Sequence, residues 1–269
     1  MGRKTPWTLN KYHRYLKEGL GQGEGKDYKP WKKVSDFSSK QTINRIPGIK
    51  TNRIHLLSTL EYQHFLLLDW DDSIIDIREH FPILNLIEVL AIADNLNVQY
   101  PRDRVTQVPK ILTSSFCITK MVEGKRKTII RTVRHSNTLK IRWKLILLEI
   151  ERVYYKRLGI DWAILTEQNI PKQLVDNLQE LYTHKELEDL HEFDIKKDQL
   201  IIMSQRLKSN LLKEKMSLLD MSIGLGNEFG VESGVFLYLF KHLLASKQLK
   251  INLNEPIDKR TSLLGKLSE

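Results

Sequence analysis

Residues 110–165 read KILTSSFCITKMVEGKRKTIIRTVRHSNTLKIRWKLILLEIERVYYKRLGIDWAIL, and this stretch decides the fold. Lys110–Lys120 and Lys125–His135 are two strand-like segments joined by the turn-like Glu123-Gly124. In the second segment Ile130, Thr132 and Arg134 project to one face, and Ile129, Arg131 and Val133 to the other. Leu139–Leu158 is predicted as a long amphipathic helix with Leu139, Trp143, Ile146, Leu147, Ile150 and Val153 on its inner face. Ile160–Leu165 is short and nearly all apolar, as expected of a strand buried on both faces. A hairpin, a helix and a further strand in that order predict a mixed α/β domain.

Upstream, Asp72–Phe81 carries Ile74, Ile75 and Ile77 and reads as a buried strand, followed by a helix over Glu88–Leu96. A helix at Thr59–Leu68 places Leu57, Leu60, His64, Phe65 and Leu68 on one face. Ser58-x-x-Glu61 has the form of a capping box opening that helix, which accounts for Glu61 with no metal involved. Gly19, Gly21, Gly23 and Gly25 alternate with other residues after a short helix at Lys11–Glu18. No strand precedes them, so they are not a dinucleotide fingerprint, and we read them as a flexible loop.

Downstream, Pro171 opens a helix reaching about Tyr182. Glu186, Glu188, Asp189, Glu192 and Asp194 form an acidic connector. Helices then follow at Asp198–Leu212, Met216–Ile223 and Val231–Ala245, with Gly224-Leu225-Gly226 as a loop and Leu249–Leu253 as a closing strand. This order predicts a small winged-helix module, a three-helix capping bundle being the alternative. The expected division is residues 1–184 and 185–269.

The 269 residues carry a formal net charge of +10, and the excess is confined. Residues 1–60 hold 13 Lys/Arg against 4 Asp/Glu, and residues 120–160 hold 12 against 3, so the remainder is net negative. A confined basic excess points to a polyanion surface, the plain alternative being a solvated basic face. Lys26, Lys29, Arg45, Arg53, Arg134 and Lys140 are the candidate DNA contacts. An anionic membrane is better served by a basic amphipathic helix with bulky anchors, whereas the second block is split between strand and helix. No apolar run nears the ~18–20 residues that span a bilayer, and Phe65–Trp70 carries Asp69. The first residues are basic with no apolar h-region, so no membrane association and a cytoplasmic location are expected. Cys117 is the single cysteine and forms no internal disulfide or cysteine-based metal site. His55, His64 and His80 lack metal-ligand spacing and are read as structural, and Asp76 and Arg78 as a structural pair.

In order along the chain, Gly21-Gln22-Gly23-Glu24-Gly25-Lys26-Asp27-Tyr28-Lys29-Pro30-Trp31, Leu57-Ser58-Thr59-Leu60-Glu61, Asp76-Ile77-Arg78-Glu79-His80-Phe81-Pro82, Glu149-Ile150-Glu151-Arg152-Val153-Tyr154-Tyr155 and Asp161-Trp162-Ala163-Ile164-Leu165-Thr166 carry a resemblance. The ordered set resembles the TnsA family, the endonuclease subunits of heteromeric cut-and-paste transposases. It covers most of residues 19–170; the last third matches only in its pattern of elements. The resemblance implies a restriction-endonuclease-like mixed sheet flanked by helices, then a mostly helical winged-helix-like domain. It implies cleavage of the 5′-ended strands at transposon ends, a DDE transposase partner for the other strands, and a TnsC-like AAA+ ATPase meeting residues 185–269.

Nucleases of this class use carboxylates to hold Mg²⁺, which activates water and neutralises the leaving charge. The resemblance places a Glu on the first helix, an Asp on the next strand and a Gln-x-Lys or Glu-x-Lys pair on the strand after. Glu61 keeps the first position. Ser115 stands where the Asp is expected, and Thr132-Val133-Arg134 where the Gln-x-Lys pair is expected. A serine hydroxyl is a poor Mg²⁺ ligand on its own. Arginine does not shuttle protons but grips phosphate in bidentate fashion. No one-residue shift restores a carboxylate; migration of Glu149, Glu151, Asp94 or Asp103 into the site is the route by which one would return.

These substitutions set the leading expectation: a TnsA-like protein with a degenerate nuclease site, acting architecturally on transposon-end DNA between transposase and ATPase. Mg²⁺ is expected only if the site is active, with Glu61 its weak ligand. The alternatives are an active Mg²⁺-dependent endonuclease with rearranged ligands, and a DNA-binding regulator without a transposase partner.

Overall fold

A computed structural model describes residues 6–33, 44–47, 53–188, 190 and 194–268, with residues 44–47 and 53 described by their backbone alone. The side chains of Arg45 and Arg53 lie outside the described residues. The chain divides into two compact units, Met1–Ile170 and Pro171–Glu269. The expected boundary at 184 falls inside the second of these.

The first unit contains α1 (Leu9–Lys17), β1 (Asn44–Pro47), β2 (Arg53–Leu56), α2 (Thr59–Trp70), β3 (Ile74–Pro82), α3 (Leu86–Asn95), β4 (Thr113–Val122), β5 (Lys125–Val133), α4 (Arg142–Arg157) and β6 (Asp161–Leu165). β1 and β2 form an antiparallel ribbon. The main sheet has the order β3-β4-β5-β6, antiparallel at the first two pairings and parallel at the last. The mixed sheet with flanking helices is the expected fold class. The β4–β5 hairpin closes on Glu123 and Gly124, both with positive φ (50° and 74°). Two-residue hairpins need that backbone because it matches the strand twist. The helical crossover through α4 then makes β6 parallel to β5. Cys117 and Ile130, paired across β4 and β5, pack with Ile83, Val89 and Ile92 around α3 and with Ile150 and Tyr155 of α4.

Three expectations for this unit are corrected. Trp143 is not on the inner face of α4: it is 60% exposed, and Leu148, Ile150, Glu151 and Tyr155 are the buried residues. A 3₁₀ turn at Ser136–Lys140 precedes the helix, and its three-residue turn shifts the phase of a periodicity read straight through from Leu139. β6 is half-buried rather than covered on both faces, and among the described strands it pairs with β5 alone. The glycine-rich segment is not a free loop. Gly21 donates its N–H to the Lys29 carbonyl at 2.6 Å while the Lys29 N–H returns to the Gln22 carbonyl at 3.1 Å, and Gly21 has φ 79°, where a Cβ would lie 2.3 Å from Pro82 Cγ. Gly25 N–H donates to Asp76 Oδ1 at 2.8 Å. Asp76 is also ion-paired with Arg78 at 2.9 Å, as expected.

The N-terminal segment is held by an aromatic cluster of Trp7, Tyr12, Tyr15 and the buried Trp31. Trp7 donates its backbone N–H to Asp103 Oδ2 at 3.1 Å and its indole N–H to the Pro109 carbonyl at 3.0 Å. Fixing Trp31 in this way delivers the next residue, Lys32, to the start of β4.

The second unit contains α5 (Lys172–Leu181), α6 (Lys197–Lys213), α7 (Leu218–Phe229) and α8 (Ser233–Ala245), with α8 packed against the other three. Gly224 and Gly226 lie inside α7 and not in a loop. A Cβ on Gly226 would come within 2.8 Å of the Val231 carbonyl, so the glycine serves close packing at the α7–α8 turn, and α7 stops at the left-handed Gly230. Leu249–Leu253 is not a strand; Lys250 makes a single bridge with Ser268.

Candidate functional site

Glu61 is the third residue of α2. Ser58 caps that helix by accepting the Glu61 N–H at 3.1 Å, as the capping pattern predicts. The carboxylate reaches back one residue further than in a standard box, and its Oε2 accepts the Leu57 N–H at 2.8 Å. Its other oxygen, Oε1, accepts the Ser115 hydroxyl of β4 at 3.1 Å. Both carboxylate oxygens are therefore engaged.

Ser115 lies where the β4–β5 ladder gives out. Regular pairing ends at Phe116 and Arg131, and the Ser115 Oγ accepts the Val133 N–H at 3.0 Å in place of a strand carbonyl. Arg134, one residue past β5, brings its Nη1 within 3.4 Å of the same Oγ and donates to the Val133 carbonyl at 2.6 Å. Three of the four predicted site residues, Glu61, Ser115 and Arg134, thus form one chain of contacts.

Thr132 is not in that chain. It donates its hydroxyl to Glu151 Oε1 on α4, and Ser114 donates to the same oxygen at 2.6 Å while contacting the Tyr155 hydroxyl at 3.0 Å. Adjacent serines of β4 therefore serve different helices, as alternating strand side chains do: Ser114 faces α4 and Ser115 faces α2. Glu151 is 97% buried, with hydroxyl donors around it. Of the four acids considered as replacements, it alone meets a site residue. Glu149 pairs with Arg152 at 2.7 Å, Asp103 accepts the N–H groups of Trp7, Val105 and Thr106, and Asp94 is exposed on α3.

Lys32, Ser114 and Glu79 fall outside the residues that the sequence singles out. Lys32 Nζ donates to Thr113 Oγ1 at 2.6 Å. Burial and the neighbouring Arg134 guanidinium push its ammonium down to about 8, against the pull of Glu61 and Glu151. Glu79, on β3, is lifted to about 7 by burial; its Oε1 accepts the His55 N–H at 3.0 Å, while Oε2 has no hydrogen-bond partner among the described residues. His80 Nε2 lies 2.7 Å from the His55 carbonyl, and burial holds that imidazole below its ordinary range. His64 contacts the Thr166 carbonyl at 3.2 Å, so these histidines act structurally. Burial pushes the Cys117 thiol up to about 11, which makes it inert. Lys26, Lys29 and Lys140 are exposed, and Lys29 donates to the Glu18 carbonyl at 3.2 Å.

The side chains around Glu61 do not fit Mg²⁺. The ion takes near-octahedral oxygen ligands and gains most from carboxylates. Each Glu61 oxygen already accepts one hydrogen bond, a hydroxyl shared three ways and a guanidinium lie beside it, and Glu79, which couples to Glu61 electrostatically, is held toward its neutral form by burial. Among the described residues no group of three His, Cys, Asp or Glu side chains is placed to hold a metal ion.

The family profile for the TnsA-like endonuclease N terminal matches residues 71–167, and that for the TnsA endonuclease C terminal matches residues 169–253. The chain belongs to the TnsA endonuclease family. The transposon Tn7 transposition protein TnsA of Escherichia coli is 36% identical over 173 residues. That match covers 64% of this chain and 62% of the relative, so the chain spans under two thirds of that protein. Within the TnsA-family chain the two profiles meet beside the Ile170–Pro171 division of the fold. Ser115, Thr132, Arg134 and Glu151 lie inside the N-terminal match, while Glu61 and Lys32 lie upstream of it. Among the described residues no helix is long and apolar enough to cross a membrane.

Proposed function

We propose that this TnsA-family chain is a cytoplasmic transposition protein that binds transposon ends at the 5′ strands and no longer cuts them efficiently. Its role is architectural: it holds end DNA through its basic blocks and bridges a DDE transposase to a TnsC-like AAA+ regulator, the latter through residues 185–269. The observation that carries this reading is the Arg134 guanidinium 3.4 Å from Ser115 Oγ, beside a Glu61 with both oxygens engaged. The guanidinium supplies positive charge where the family's chemistry calls for a cation, and it is built to grip phosphate rather than activate water.

Donor DNA nicked only on its 3′-ended strands is not released, so the products should be cointegrates. A mating-out assay with the intact element tests this. Mostly cointegrates are expected. Mostly simple insertions, abolished by Glu61→Ala, would establish a working nuclease instead. Glu151 is the carboxylate that a rearranged active site would recruit, and Glu151→Gln in the same assay identifies that case.

A further inference from the structure

A cavity of about 420 Å³ opens beside the site, within the first unit. That volume falls in the ~300–1,000 Å³ range of ligand pockets. Its charged lining is unbalanced: Lys32, Lys110, Arg134 and Lys144 face it, against Glu151 alone. Glu151 already accepts two hydroxyls, so its charge is partly spent. Lys32 and Arg134 both line the cavity and their like charges oppose one another, an arrangement that an anion between them relieves. The remaining wall is largely apolar, and Trp143 stands on it in the first turn of α4, 60% exposed, with Lys144 Nζ 5.7 Å from its ring centroid. The indole and the cations thus share one cavity.

The geometry points to a binding site for an unpaired nucleotide of a DNA strand, with its phosphate between Lys32 and Arg134 and its base on Trp143. Charge alone would suit any anion; the aromatic wall beside the cations selects a nucleotide, because every base has a face to stack and a phosphate at fixed reach. A base inside a duplex is not available to such a recess, so the ligand is a nucleotide at an overhang or junction. This inference rests on the DNA-binding reading above and adds to it a strand-end preference.

The test uses the full chain and fluorescence anisotropy at one fixed salt concentration, with two labelled DNAs of equal duplex length, one blunt and one with a short single-stranded overhang. The overhang duplex is expected to bind roughly tenfold tighter than the blunt one. Trp143→Ala is expected to erase that preference while leaving blunt-duplex affinity within about twofold, and Trp143→Phe to keep most of it. Equal binding of both DNAs by the unaltered chain, or a preference that survives Trp143→Ala, overturns the inference while leaving the DNA-binding reading standing. Failure to bind either DNA overturns both. Trp143 is exposed, so its variants are expected to fold, and circular dichroism checks that they do.

Discussion

The Ser115 hydroxyl donates to Glu61 at 3.1 Å and with the same oxygen accepts the Val133 N–H at 3.0 Å. One neutral side chain thereby closes a gap in the β4–β5 ladder and satisfies a buried carboxylate. Ser115→Ala strands both groups, and each unsatisfied buried group costs ~1–3 kcal/mol. The expected loss of roughly 2–4 kcal/mol is read by urea denaturation; a loss under ~0.5 kcal/mol would show that the hydroxyl is dispensable.

Placing a carboxylate at Ser115 and a lysine at Arg134 sets two anions face to face and removes the planar guanidinium. The double variant Ser115→Asp, Arg134→Lys is expected to melt lower than the unaltered chain in EDTA and to recover on adding Mg²⁺ or Mn²⁺. The unaltered chain should show no metal-dependent change in Tm. Thermal scans with and without metal check both halves.

Thr132 and Ser114 share Glu151 Oε1 as acceptor. Thr132→Val keeps the shape and removes one donor to a buried charge, so it should cost ~1–3 kcal/mol by chemical denaturation. Ser114→Ala, Thr132→Val together should cost more than the sum of the single changes, because Glu151 then has neither hydroxyl.

Glu79 has its titration raised to about 7 by burial, above its ordinary value of 4.5. The folded chain then holds a proton that the unfolded chain has released between those pH values, so stability falls as pH rises through this window. Glu79→Gln mimics the protonated form. It is expected to be near neutral at pH 5 and to stabilise by about 3 kcal/mol at pH 8, since each pH unit of that window is worth ~1.36 kcal/mol. Tm measured at the two pH values decides it.

Lys32 is pushed down to about 8, so its ammonium is full below that pH and fades above it. Affinity for DNA phosphate at the cavity is expected to fall several-fold between pH 7 and pH 9. Arginine stays charged throughout that range, so Lys32→Arg should flatten the profile. Binding isotherms at constant ionic strength give the comparison.

Much of this architecture is legible in the sequence. Strong local signals mark the β4–β5 hairpin, the following helix and β6, and the ordered motifs locate Glu61, Ser115, Thr132 and Arg134. What escapes has a physical cause in each case. Lys32 meets Thr113 across 81 positions, a contact made by an aromatic cluster that no periodicity encodes. Trp143 reads as inward-facing because a 3₁₀ turn resets the helical phase ahead of α4. Gly21 and Gly226 read as loop signals, yet both mark close approaches, to Pro82 and to Val231. Glu61 is legible as a residue of the helix cap, and the structure holds it there, its N–H donated to Ser58 and its carboxylate between the Leu57 N–H and the Ser115 hydroxyl.

The most direct measurement is strand-specific cleavage. The purified chain is combined with the DDE transposase proposed above as its partner, Mg²⁺ or Mn²⁺, and transposon ends labelled on the 5′-ended strands. A degenerate site leaves these strands intact while the 3′ strands are nicked. A metal-dependent cut in the 5′-ended strands that disappears in Glu61→Ala would contradict it.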